Sequence, residues 1–149
     1  MKAVIIYASP TDKSFVTKIT KELYRFRIDY IEHVASAHKV PEKIIDLIEK
    51  YNQSEEQICF ITVAGRSNAL SGLVSANTIF PVIACPPLET KEDFMVNINS
   101  SLMMPSETPV ATIVDPANAA YFVAKMFGLI DNEMKDRVIK AIGDMKKKF

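Results

Sequence analysis

Three short polar segments hold most of the side chains able to do chemistry: Ser9-Pro10-Thr11-Asp12, Ser36-Ala37-His38-Lys39 and Ala64-Gly65-Arg66-Ser67-Asn68. Each follows directly on an apolar run. Histidine both takes and gives a proton near neutral pH, and His38 lies in a loop between Ser36 and Lys39, placed to move one. Ser9, Thr11 and Asp12 bring hydroxyls and a carboxylate to the start of a helix, a set suited to a phosphate and a sugar diol. The same residue types cap helices with no ligand present, and that reading stands beside the first. Lys39 can hold a phosphate as a point charge, or stand solvated. In the third segment Gly65 allows close approach, Arg66 adds a guanidinium, and Ser67 and Asn68 add hydrogen-bonding side chains, which suits an anion or carboxylate. A strand-to-helix turn that needs glycine and small residues fits those letters equally well.

The remaining reactive residues read as structural. His33 falls inside a strand, as a packed or hydrogen-bonded histidine. Two histidines five apart and two distant cysteines make no recognisable metal-ligand set. Cys85 ends an apolar run with no histidine in a suitable loop to activate it, so a buried structural thiol is expected. Cys59 and Cys85 both sit in apolar stretches, as reduced thiols do, which favours a cytoplasmic setting.

The elements that would position these segments follow from periodicity. Apolar runs of strand length alternate with stretches of helical period, which argues for βα units. Strands are expected at residues 3–8, 30–35, 58–63, 80–85 and 110–114. Helices are expected at 12–26, from Pro41 to Tyr51 with a polar connector to Gln57, within 68–77, at 93–103, from Asp115-Pro116 onward and at 132–147. Asp12 is a plausible cap or first-turn acid of the first helix. Five parallel strands joined by right-handed crossovers give a three-layer α/β/α sandwich with the flavodoxin-like order 2-1-3-4-5 and an extra C-terminal helix. In that order strands one, two and three are neighbours. The loops that begin at Ser9, Ser36 and Ala64 would therefore crowd around the topological switch point, where such sheets bind ligands.

Composition bounds the rest. A chain of 149 residues with 48% hydrophobic content is expected to form one domain, 1–149, large enough to bury a core. Eighteen basic and eighteen acidic residues cancel, which removes the electrostatic footprint of a nucleic-acid binder. Lys146-Lys147-Lys148 complements a helix C-terminus as a solvated basic tail. The first apolar run is too short for a signal peptide or a membrane span, so no membrane role is expected.

Taken together, Ser36-Ala37-His38-Lys39, the 64–72 segment AGRSNALSG, the 84–87 segment ACPP and Ser100-Ser101-Leu102 resemble the aminoimidazole ribonucleotide carboxylases of purine biosynthesis, over about residues 4–129. The AGRSN and SAHK forms are similar to the class II enzymes, which carboxylate aminoimidazole ribonucleotide directly with carbon dioxide. Class I members carry AGGAAHLPG and SAHR there and move a carboxyl group from an exocyclic nitrogen to ring carbon; Ala69 stands where they have a histidine.

The resemblance implies that Ser9 and Asp12 contact phosphate and ribose, that Ser36 and Lys39 complete that pocket, and that His38 transfers the proton. It further implies that Gly65, Arg66, Ser67 and Asn68 hold carbon dioxide or the new carboxylate by amide and side-chain donors. Carbon dioxide would be co-substrate, with no metal, biotin or ATP. A homo-oligomer, tetramer or octamer, would pack around C-terminal helices, whose apolar face includes Phe122, Met126 and Phe127.

Several positions depart from the family pattern. Ala8 replaces a glycine, Pro10 and Thr11 alter the first loop, Asn97 stands where aspartate is common, Met103 replaces an arginine and Glu107 a glycine. Two alternatives differ in class: a mutase on the same fold, and a non-enzymatic flavodoxin-like module, such as a phospho-receiver or flavin carrier. Neither binding module gives His38 a task.

Overall fold

The segments β1 (Lys2–Tyr7) and β3 (Ile58–Val63) are almost wholly apolar because both of their faces are covered. Side chains alternate across a strand, and the two cores of the protein follow that alternation. In β1, Ala3, Ile5 and Tyr7 join one core, while Val4 and Ile6 join the other. The first core receives Phe15, Val16, Ile19 and Leu23 from α1 (Lys13–Arg25), Val123 and Phe127 from α5 (Pro116–Phe127), and Met134 from α6 (Asn132–Lys146). The second receives Ile44 and Ile48 from α2 (Pro41–Asn52) and Leu70 and Val74 from α3 (Ala69–Asn77). Each such side chain stabilises the fold by about 1.5–3 kcal/mol relative to exposure. The computed structural model describes residues 1–88 and 90–149.

Between β3 and the last helices lie β4 (Val82–Ala84), α4 (Lys91–Leu102) and β5 (Ala111–Thr112), and β2 (Asp29–Val34) follows α1. All strand pairs are parallel and the order is β2-β1-β3-β4-β5, as the alternation of elements predicts. Register places Ile5 opposite Glu32 on one side and Ile61 on the other. With α1, α5 and α6 over one face and α2 and α3 over the other, the sandwich has three layers.

Helix starts carry their expected chemistry. Asn68, Thr90, Asp115 and Asp131 accept hydrogen bonds from Ser71, Asp93, Asn118 and Met134 amides, and Pro41 and Pro116 open α2 and α5. Four expectations need adjustment. Asp12 makes no side-chain cap bond; Ser9 instead caps a 3-10 turn, Pro10–Asp12, and α1 begins only at Lys13. Thr90 starts α4 two residues ahead of the expected point. Strands β4 and β5 are shorter than 80–85 and 110–114, with Pro81 and Pro109 beside them and a single neighbour available to β5 at the sheet edge. No helix among the described residues is long and apolar enough to cross a membrane.

Candidate active site

Strand pairing continues one residue beyond the ends of β2 and β1. The Ala35 amide donates to the Tyr7 carbonyl at 3.0 Å, and the Ala8 amide to Val63 at 2.9 Å. The three polar loops therefore leave the sheet side by side, at the C-terminal edge where strand order reverses. Between the first and third of them opens a polar cleft of about 280 Å³, closed by the segment after β4. Thr11, Asp12, Ser14 and Phe15 form one wall, Gly65 and Arg66 a second, and Pro87, Asp93 and Asn97 a third.

Of the loop residues singled out in the sequence, Thr11, Asp12, Gly65 and Arg66 line this cleft. Ser9 stands at its margin, with Oγ 2.7 Å from Thr11 Oγ1 and accepting the Thr11 amide, so it shapes the first loop. Ser36, His38 and Lys39 occupy the loop after β2, at the same end of the sheet but outside the cleft walls. The Ser36 carbonyl accepts from the Lys39 and Val40 amides at 3.2 and 2.9 Å, a turn that leaves His38 and Lys39 exposed.

The third loop departs most from its sequence reading. Asn68 is 5% exposed. Its Oδ1 accepts from the Ser71 amide at 3.1 Å and from Ser71 Oγ at 2.9 Å, and its Nδ2 donates to Ser101 Oγ at 3.0 Å. Its side chain starts α3. The Asn68 backbone amide donates to Ser100 Oγ at 2.5 Å, and the Arg66 amide donates to Asn97 Oδ1. Two of the amides expected to face a ligand therefore face α4. Ser67 is exposed and outside the cleft walls, whereas Arg66 is exposed and lines them.

Gly65 is needed for a close approach. A Cβ there would lie 3.2 Å from Asn97 Nδ2 and 3.5 Å from Pro87 Cγ. Arg66 next to it has φ 55°, in the left-handed region that costs a side-chain-bearing residue about 1–2 kcal/mol. Asn97, Ser100 and Ser101 are the residues that sequence reasoning did not assign to the site: Asn97 stands there only as a departure, and Ser100-Ser101 only as part of the resemblance. Their spacing of three and four residues puts them on one face of α4, and that polar stripe was the available signal. Asp93, one turn before Asn97, brings a second carboxylate to the cleft beside Asp12.

The structural readings of the other reactive groups hold. His33 Nε2 lies 2.9 Å from Tyr51 Oη; burial, then Lys43 and Lys50, lowers its pKa. Burial, with the Asp115 charge, pushes the Cys85 thiol up to about 12, and burial raises Cys59 too, which keeps both thiols in their unreactive protonated form. Both are buried and unbridged.

A three-layer α/β protein with a polar cleft at its switch point is, by class, a flavodoxin-like fold built to take a small ligand there. The family model described as AIR carboxylase matches residues 2–148. A phosphoribosylaminoimidazole carboxylase of Archaeoglobus fulgidus is 46% identical over 140 residues, covering 94% of this chain and 76% of that one. One of Treponema denticola is 39% identical over 136 residues, covering 91% and 84%. The crystal structure of Treponema denticola PurE superposes with a TM-score of 0.95 at 36% identity, covering 99% of this chain and 92% of that chain. The chain belongs to the AIR carboxylase family, and is an enzyme with the role in purine biosynthesis that membership carries.

Proposed function

We propose that this enzyme carboxylates 5-aminoimidazole ribonucleotide directly with carbon dioxide, giving 4-carboxy-5-aminoimidazole ribonucleotide, with His38 as the proton carrier. The observation that carries the reading is the meeting of the first three strand-end loops at the switch point, in a chain matched to the family from residue 2 to 148. Ser9, Asp12, Ser36 and Lys39 are assigned to phosphate and ribose, and Arg66, with the turn formed by Gly65 and Ser67, to the carboxyl group. Asn68 serves this turn through its cap.

The aminoimidazole is an electron-rich enamine. Its ring carbon attacks the carbon of carbon dioxide, a carbon–carbon bond forms, and one C=O electron pair moves to oxygen to give the carboxylate. The ring carbon that has attacked still bears its hydrogen; His38 takes that proton, the ring regains aromaticity, and the proton leaves to water. Because the nucleophile is the substrate itself, the reaction as proposed needs no metal, biotin or ATP, only positioning and exclusion of water. A guanidinium supports the carboxylate as it gains charge. The Arg66-Ser67-Asn68 sequence, with Ala69 following, favours the direct reaction over the mutase, which the resemblance associates with a histidine at position 69.

The reading includes a cytoplasmic setting, supported by the buried unbridged cysteines, and a homo-oligomer. It includes no nucleic-acid or membrane partner, in line with a net charge of zero.

The test mixes the purified chain with aminoimidazole ribonucleotide and bicarbonate, without ATP, and follows the carboxylated imidazole. Turnover is expected, with His38→Asn slower by about a hundredfold or more. Activity only on N-carboxyaminoimidazole ribonucleotide would assign the mutase reaction. Silence on both substrates would return the non-enzymatic binding module to first place.

A further inference from the structure

We propose that Asn97 is a positioning residue of the carboxylating site, holding the Gly65-Arg66 turn in the shape that the carboxyl group requires. The inference rests on the functional reading above. Arg66 sits in the left-handed backbone region without being a glycine, so its surroundings must hold it there. Asn97 Oδ1 accepts the Arg66 amide. Its Nδ2 donates to the Pro87 carbonyl at 2.9 Å, and lies 3.2 Å from the point where a Cβ on Gly65 would stand. At 3% exposure the side-chain amide is wedged between the loops after β3 and β4, one end tied to each.

Those two ties need an acceptor and a donor on one short side chain. Asparagine has both, aspartate keeps the acceptor alone, and alanine has neither. The Asn97 polar atoms are occupied by backbone partners, so its effect on substrate passes through Arg66, whose guanidinium is aimed by the same turn. Ser100 and Ser101 secure the Asn68 backbone and side chain independently, which confines the loosening caused by an Asn97 substitution to residues 65–66. This chain differs from the common family pattern at this position, where the resemblance puts an aspartate.

The experiment compares Asn97→Ala and Asn97→Asp with the native chain, by amide hydrogen exchange at Arg66 and by steady-state kinetics with both substrates. In Asn97→Ala the Arg66 amide is expected to exchange about tenfold faster or more, with the Val63 amide unchanged, because the acceptor is gone. The KM for bicarbonate is expected to rise about tenfold while that for aminoimidazole ribonucleotide stays within about twofold, since a small misplacement of the turn acts on the carboxyl partner alone. Asn97→Asp keeps the acceptor for the Arg66 amide but loses the donor to the Pro87 carbonyl, so Arg66 exchange should quicken by less than in Asn97→Ala while the bicarbonate KM still rises. That variant decides the matter should the alanine variant not fold. Unchanged Arg66 exchange in the alanine variant, or native exchange and native kinetics in the aspartate variant, overturns the proposal. So does a bicarbonate KM that does not move in an active protein. Inactivity of the native chain on both imidazoles marks failure of the functional reading instead, and shows as such in the control.

Discussion

At the scale of single residues, the two histidines divide by environment. His38 is exposed on a turn at the switch-point edge, while His33 is half-buried on β2 against Tyr51. The lowered pKa of His33 is a statement about stability. Its unfolded form binds a proton near pH 6.5, the folded form only at lower pH, so between these values the unfolded state holds more protons. The stabilisation from a neutral His33 is therefore present above pH 6.5 and is lost as pH falls through the folded value. Urea denaturation at pH 7.5 and 5.5 should show native stability dropping more steeply than that of His33→Gln, which keeps a partner for the Tyr51 hydroxyl. Equal slopes would remove His33 from the account. Gly65 and Arg66 are the residue-scale counterpart at the site: one lacks a Cβ where Asn97 and Pro87 press close, and the other accepts an uncommon backbone angle next to it.

At the scale of elements, α4 acts through its polar face. One face of it, Asn97, Ser100 and Ser101, binds the loop after β3, so that loop's shape is set by a helix about thirty residues further on. The start of α3 depends on the same arrangement. Asn68→Ala removes the cap acceptor for the Ser71 amide, while the buried Ser71 and Ser101 hydroxyls keep Thr62 Oγ1 and the Asn97 carbonyl as partners, a loss of about 2 kcal/mol. Chemical denaturation checks the figure, and a loss below about 1 kcal/mol would mean that water replaces the side chain at little cost. By contrast, the surface ion pairs contribute little: Lys2–Glu56 joins β1 to the loop before β3, and Arg137–Glu133 lies within α6.

At the scale of the whole molecule, the end of α5 leaves Leu129 85% and Ile130 61% exposed, next to Ile79 at 75% on the same groove. A cluster of that kind on a protein with no net charge suits association of identical copies. Light scattering on the native chain and on a Leu129→Asp, Ile130→Asp pair should show an oligomer reduced to smaller species. A native monomer would count against the homo-oligomer. The strand order and the family were legible in the letters: continuous apolar runs, helix-period stripes and cap residues are local signals of the elements, and the SAHK and AGRSNALSG segments carried the family. So were the three loops and the structural character of His33, Cys59 and Cys85. What the sequence by itself determined is which segments become strands and helices, in what order they lie, and hence which loops share the switch point. Only the tertiary structure decided which polar atoms in those loops stay available. Asn68, Arg66 and Ser9 have the same letters whether their groups face a ligand or another part of the chain. Ser9 turns to Thr11 two residues on, but Asn97 and Ser101, the partners of the Arg66 amide and of Asn68 Nδ2, lie more than thirty residues away, and a hydrogen bond at that separation is formed by packing, which no local pattern encodes.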